Sequence, residues 1–197
     1  MSRGAWAVVP AKALSRGKSR LSGVLADDER AAFARKLFEH VLDTALATEG
    51  IAGVLVATDA EDVASIARAR GAKVRPDGAA SSLAEVADGA LAELAEAKVP
   101  AAIVLMADLP RIVPADVAAL LAALADADVA LVRDHEGQHT NALALAPPDA
   151  MKTCFGDDSF ARHLARARDL RLRVAVVENP RVAFDVDAPG DLARLGA

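Results

Sequence analysis

Cysteine is almost absent from this sequence: Cys154 stands alone among 197 residues. A single cysteine excludes an internal disulfide framework and a multi-cysteine metal cluster, and leaves a small buried or half-buried thiol as the ordinary reading. Aromatic residues are nearly as scarce, 3% of the chain with no tyrosine, so the core must be aliphatic and rich in alanine. No run approaches the ~18 consecutive apolar residues that a membrane span requires, and the N-terminus carries no long apolar signal segment. The reading is a cytoplasmic protein with no membrane partner. Positive charge is in deficit as well. The formal net charge is −5, against the basic surplus or stripe that polynucleotide binding calls for. That balance argues against nucleic acid as a partner, though not against a single nucleotide.

What is present, 53% hydrophobic and 26% charged residues, belongs to a globular chain, and the length suits one domain over 1–197. Short apolar runs alternate with longer amphipathic ones. Strands are expected at Ala5–Val9, Gly53–Ala57, Lys73–Arg75, Ala102–Ala107, Val129–Val132, Ala142–Ala146 and Leu172–Val177. They are continuous apolar runs, as suits a sheet covered on both faces. Helical patterns fill the intervals at Asp27–Thr48, Glu61–Arg70, Leu83–Ala97, Pro114–Ala125 and Ser159–Arg168, with a further helix starting at Pro189. In the first of these, Phe33, Leu37 and Val41 form one stripe with Phe38, Leu42 and Leu46 beside it. The alternation predicts an α/β fold, three-layered, with a mostly parallel, doubly wound sheet.

Ligands of such sheets sit beyond the C-terminal ends of the strands, so the residues after each apolar run carry the information. After the first strand, Lys12, Arg16, Lys18 and Arg20 place four cations in one loop. They suit a polyphosphate, or simply a solvated basic loop. Neither GxGxxG nor GxxxxGK[ST] occurs, which counts against dinucleotide-binding dehydrogenases and P-loop NTPases. After the fourth strand comes Asp108, a carboxylate placed to hold Mg²⁺ against phosphates or to cap the turn before Pro114. Asp185 and Asp187 lie on one side of an extended segment, and one of the two could complete a magnesium site with Asp108, while Asp187 or its neighbour could cap the helix at Pro189. Gly137–Asn141 forms a polar loop before a strand. Gly156 runs into Ser159, an expected helix N-cap with anion-binding geometry, and His163 follows one turn later on the same face, as a ligand contact or a structural histidine.

Five segments in order resemble a known family: Val9-Pro10-Ala11-Lys12 with Lys18-Ser19-Arg20-Leu21; Ala107-Asp108-Leu109-Pro110; Thr140-Asn141-Ala142-Leu143; Phe155-Gly156 with Ser159-Phe160 and His163; and Asp185 with Asp187, Pro189, Asp191 and Leu192. Together they resemble the 2-phospho-L-lactate or phosphoenolpyruvate guanylyltransferases of coenzyme F420 biosynthesis, over nearly the whole chain. The resemblance implies a nucleotidyltransferase fold of the glycosyltransferase-A-like kind. It implies GTP and a small phosphorylated acid as partners and Mg²⁺ as cofactor, with a homodimer left open. It implies that Lys12, Lys18 and Arg20 contact the GTP phosphates and act in catalysis with Asp108, and that Asp108 with Asp185 or Asp187, or both, binds the metal. Thr140, Gly156 and Ser159 match positions that bind the acid, with Asn141 and His163 beside them. Where the family usually has a Leu-Asn pair this chain has Leu83-Ala84, and where it tends to glycine before Thr-Asn it has Gln138-His139. These longer polar side chains suit an acid with an extra hydroxyl, which puts 3-phosphoglycerate beside 2-phospholactate and phosphoenolpyruvate. Two other readings stand: a nucleotidyltransferase for a sugar phosphate or a molybdopterin, and an inactive nucleotide-binding scaffold.

Overall fold

In a computed structural model that describes residues 4–195, seven strands form one mixed sheet. The expected span of 1–197 reaches past this range at both ends. The strands are β1 (Ala5–Pro10), β2 (Ile51–Ala57), β3 (Lys73–Arg75), β4 (Ala102–Leu105), β5 (Val129–Arg133), β6 (Thr140–Leu145) and β7 (Val174–Val176), in the spatial order β3-β2-β1-β4-β6-β5-β7. Helices α1 (Asp27–Ala47), α2 (Glu61–Ala69), α3 (Leu83–Glu96), α4 (Pro114–Ala123), α5 (Ser159–Asp169), α6 (Pro180–Ala183) and α7 (Pro189–Leu195) connect them. None of the described helices is long and apolar enough to cross a membrane.

The two faces of the sheet account for the continuous apolar runs. Alternate strand residues Ala7, Val9, Val54, Val56, Ile103 and Leu105 pack with Phe38, Val41 and Leu42 of α1, Val63 of α2 and Leu120 of α4. Their neighbours Val8, Leu55, Val104, Leu131 and Leu143 face the other way, onto Ala87, Leu91 and Leu94 of α3 and Ala167 of α5. Both sides of β1 and β4, at the centre of the sheet, are therefore removed from water, which is why polar residues are missing from them. The α1 stripe lies inside as expected, except that Leu46 is at the surface. Trp6 pairs with Gly53 across β1 and β2, and a Cβ on residue 53 would meet the indole ring at 2.6 Å. Glycine there is a steric requirement.

Two features differ from the sequence reading. The fourth strand stops at Leu105, so Asp108 stands three residues beyond it. And β6 runs antiparallel to both β4 and β5, with Leu105 opposite Ala142. Reversal carries the start of β6, rather than its end, to the edge where β1, β2, β4, β5 and β7 finish. Thr140 and Asn141, which precede a strand in the sequence, thereby join residues that follow strands.

Candidate active site

Three carboxylates meet at this edge. Asp108, Asp185 and Asp187 each offer an oxygen within 4.8 Å of the others. Asp108 arrives from the β4 loop, and the other two from the extended segment between α6 and α7. They alternate on that segment, so Asp185 and Asp187 reach the same side while Val186 between them is fully buried. Asp187 does not cap α7. Asp191, inside the helix, accepts the N–H groups of Asp187 and Ala188 at 3.1 and 2.8 Å, which leaves the Asp187 carboxylate for the site.

Lys18 closes the cluster. Its Nζ lies 2.5 Å from Asp108 and 3.0 Å from Asp187, and its side chain is 8% exposed. Burial alone would lower its pKa. Asp108 and Asp187 outweigh burial and raise it above the ordinary lysine value, so the ammonium stays charged. Lys18 also adopts the left-handed backbone conformation, φ 56°, which costs a non-glycine residue about 1 kcal/mol or more and is held by its surroundings. Arg20 reaches Asp187 at 3.6 Å from a mostly exposed position. Asp185 is the most buried of the three carboxylates. Burial first, and the charge of Asp108 second, push its pKa up to about 6. An all-oxygen donor set whose mutual repulsion raises a pKa fits a hard divalent cation.

Around the cluster the edge is hollowed into adjoining cavities. One of about 360 Å³ is lined by Lys12, Arg16, Lys18, Phe38, Asp108 and Asp187. A second, of about 260 Å³, shares Lys12 and Leu83 with it and extends over Ala57, Asp77 and Ser81. A third, of about 220 Å³, lies on the other side of Asp108 and Asp187 and is lined by Arg20, His139, Thr140, Asn141, Gly156 and Ser159, among others. Lys12 thus reaches the first two cavities and does not touch the carboxylates. Gly156, at φ +119°, occupies a conformation that side chains disfavour.

The expected anion site at the start of α5 is built differently. Ser159 is the first residue of the helix and Asp158 precedes it as N-cap, with no side-chain cap bond. The Ser159 hydroxyl oxygen instead accepts the Thr140 N–H at 3.0 Å, which ties α5 to β6. His163 does not reach the cavity. It is fully buried, with Nδ1 3.0 Å from the Thr140 hydroxyl and Nε2 accepting the Cys154 N–H at 2.7 Å. Burial, with Arg166 and Arg162 nearby, lowers its pKa to about 4. It is a neutral prop beneath Thr140, and its helical spacing from Ser159 suggested a ligand contact only because side-chain direction was not in the sequence.

The sequence reading missed two residues that hold the site, His135 and Asp134, and placed Asn141 on the acceptor side without its contact to Asp185. His135 lies between two carboxylates, Nδ1 3.3 Å from Asp185 and Nε2 3.3 Å from Asp191. Asn141 donates to the same Asp185 oxygen at 3.3 Å and to the carbonyls of Val182 and Ala183. Asp134 is buried at the base of the β5–β6 loop. The family pattern gave signals only for Asn141 and Asp191. His135 and Asp134 stand in a polar loop with no local mark of their partners.

The mixed, mostly parallel sheet is a nucleotidyltransferase fold, and it carries a carboxylate cluster and a buried lysine at its C-terminal edge. The fold is shared with a CMP:2-keto-3-deoxy-manno-octonic acid synthetase structure complexed with CTP (TM-score 0.66, 19% identity, 98% of this chain and 96% of that one). Residues 5–196 match the model of the CofC-like guanylyl transferases, and the chain belongs to that family. It is 38% identical over 192 residues to a phosphoenolpyruvate guanylyltransferase of Sphaerobacter thermophilus, covering 96% of this chain and 91% of that protein. The one from Rubrobacter xylanophilus is 41% identical over 194 residues, with 98% and 93% covered.

Proposed function

We propose that the chain transfers GMP from GTP to the phosphate of a small phosphorylated acid, in coenzyme F420 biosynthesis. The acids are phosphoenolpyruvate, 2-phospholactate and 3-phosphoglycerate. The observation that carries this reading is the seam: Asp108 and Asp187 line both the cavity that holds Lys12 and Lys18 and the cavity that holds Thr140 and Ser159. A nucleotide entering from one side and an acceptor from the other would meet over these carboxylates.

Lys12, Lys18 and Arg20 bind the GTP phosphates in this reading, and Asp108, Asp185 and Asp187 hold Mg²⁺. Bound there, the ion would neutralise negative charge on the reacting phosphates. Thr140, Asn141, Gly156 and Ser159 form the acceptor side, with His163 supporting Thr140 from beneath. A phosphate monoester has a second pKa near 6, so its oxygen is already an anion at neutral pH and needs no general base. That oxygen attacks the α-phosphorus, a new P–O–P bond forms, and the bond to the β-phosphate breaks to release pyrophosphate. The chain's own work is positioning and charge stabilisation, chiefly by Lys18.

Pyrophosphate release from GTP and Mg²⁺, assayed with each of the three acids, tests the reading. Wild type should turn over at least one acid, and Asp108→Asn should lose 10²-fold or more. Full activity in that variant sinks the assignment.

A further inference from the structure

One buried side chain closes the loop between β5 and β6. Asp134 is 4% exposed. One of its carboxylate oxygens accepts the Gln138 N–H at 2.7 Å, and the other lies 2.9 Å from His139 Nδ1. Its own N–H donates to the His139 carbonyl at 2.8 Å. The imidazole is thereby fixed through Nδ1, which leaves Nε2 as the ring nitrogen open to a ligand, and His139 lines the acceptor cavity. Stapling the loop requires only an acceptor for Gln138. A buried carboxylate that also grips a half-exposed histidine orients that ring.

Charge balance says what the ring would meet. Four carboxylates line the cavity, Asp108, Asp157, Asp185 and Asp187, against one guanidinium, Arg20. A divalent cation together with Lys18, which reaches Asp108 and Asp187 from the neighbouring cavity, would offset the three that cluster. An acceptor acid then brings a phosphate and a carboxylate of its own. Among the described residues lining the cavity, His139 is the only other side chain able to carry positive charge.

We propose that His139, held by Asp134, donates from Nε2 to the carboxylate of the acceptor and so selects phosphorylated acids over phosphate monoesters that lack a carboxylate. The assignment rests on the acceptor reading given above. Asp134 and the substrate carboxylate then each accept from one ring nitrogen, and a hydrogen bond to an ionised acceptor is charge-assisted. Removing the substrate carboxylate or removing His139 deletes the same hydrogen bond, so the two losses do not add.

Calorimetric titrations of the full chain with Mg²⁺ and a non-hydrolysable GTP analogue test this. Two acids are each compared with the alcohol in which CH₂OH replaces the carboxylate: 3-phosphoglycerate with glycerol 3-phosphate, and 2-phospholactate with propane-1,2-diol 2-phosphate. Phosphoenolpyruvate is titrated alongside. Wild type should prefer an acid to its alcohol by about tenfold or more. In His139→Gln the preference should fall to within about threefold, with affinity for the GTP analogue unchanged, and Asp134→Asn should lie between. His139 is partly exposed, so its variants should fold, and circular dichroism verifies this. A full preference retained in both His139→Gln and His139→Ala overturns the assignment and leaves the acceptor reading standing. Absence of wild-type binding to all three acids overturns the acceptor reading, and this assignment with it.

Discussion

Lys18 Nζ lies 2.5 Å from Asp108, a residue 90 positions away in the chain. Neither side chain has this meaning alone. Lys18 sits in a loop after β1 and Asp108 in a loop after β4, strands that pair directly in the sheet. Buried cations are costly unless paired, and here the pairing is with two carboxylates that a metal would also use. The lysine therefore serves as a permanent counter-ion of the cluster.

Replacing Lys18 with methionine keeps the length of the side chain and removes the charge. Turnover should fall by about 10²–10³-fold, the usual loss on deleting one preorganised charge-stabilising group. Without metal the variant should melt below wild type, because three carboxylates are left facing one another. Mg²⁺ should then raise its melting temperature by more than it raises that of wild type. Thermal scans with and without Mg²⁺ check this, and equal shifts would count against a counter-ion role.

His135 touches Asp185 without lining the cavities over the carboxylate cluster. With Asn141 it engages one Asp185 oxygen, which orients the other. Removing such a support typically weakens metal binding by about 10–100-fold. His135→Ala should show that loss in a direct Mn²⁺ or Mg²⁺ titration, while melting stays near wild type in the absence of metal.

The segment carrying Asp185 and Asp187 is anchored further back. Asp116, 1% exposed, accepts from Arg181 Nε at 2.9 Å, from Arg181 Nη2 at 2.5 Å, from Asn179 at 2.7 Å and from the Val113 N–H at 3.0 Å. This clamp joins α4 to α6, the element immediately before the segment that carries Asp185 and Asp187. Asp116→Ala should cost about 2 kcal/mol, with the half-exposed Arg181 keeping the figure at the low end for a buried pair. The corresponding fall in melting temperature is roughly 4–8 °C for a chain of this size.

His163 makes stability depend on pH. Its folded pKa, about 4, lies below the unfolded 6.5, so the unfolded chain binds more protons between these values. Stability from this group is present above 6.5 and is lost as pH falls toward 4, by up to about 3 kcal/mol. Asp185 acts in the opposite sense over an overlapping window. Its raised value, about 6 against 3.8, makes the folded state gain stability as pH falls. The two largely offset in wild type. The difference between wild type and His163→Gln isolates the histidine: it should shrink steadily from pH 7 to pH 4.5 in denaturant unfolding. A constant difference would contradict a neutral, buried His163.

The sequence by itself determined the layers and most of the residues that gather at the site. Continuous apolar runs such as Ile103–Leu105 have no polar side to turn to water, so they had to be strands covered twice, and the residues just past them had to carry function. Asp108, Lys18 and Arg20 were legible for that reason, in the loops after β4 and β1, and Asp185 and Asp187 were legible from their alternation on an extended segment. Tertiary structure alone decided direction and partnership. An apolar run reads the same whether its strand is parallel or reversed, so only the fold could show that β6 turns back and brings Thr140 and Asn141 to the site by its first residues. Partners 44 or 50 positions apart, as Asn141 and His135 are from Asp185, leave no local pattern. For the same reason His163 shared the sequence spacing of a ligand contact yet lies beneath the pocket: spacing fixes the face of a helix, and packing decides what that face meets.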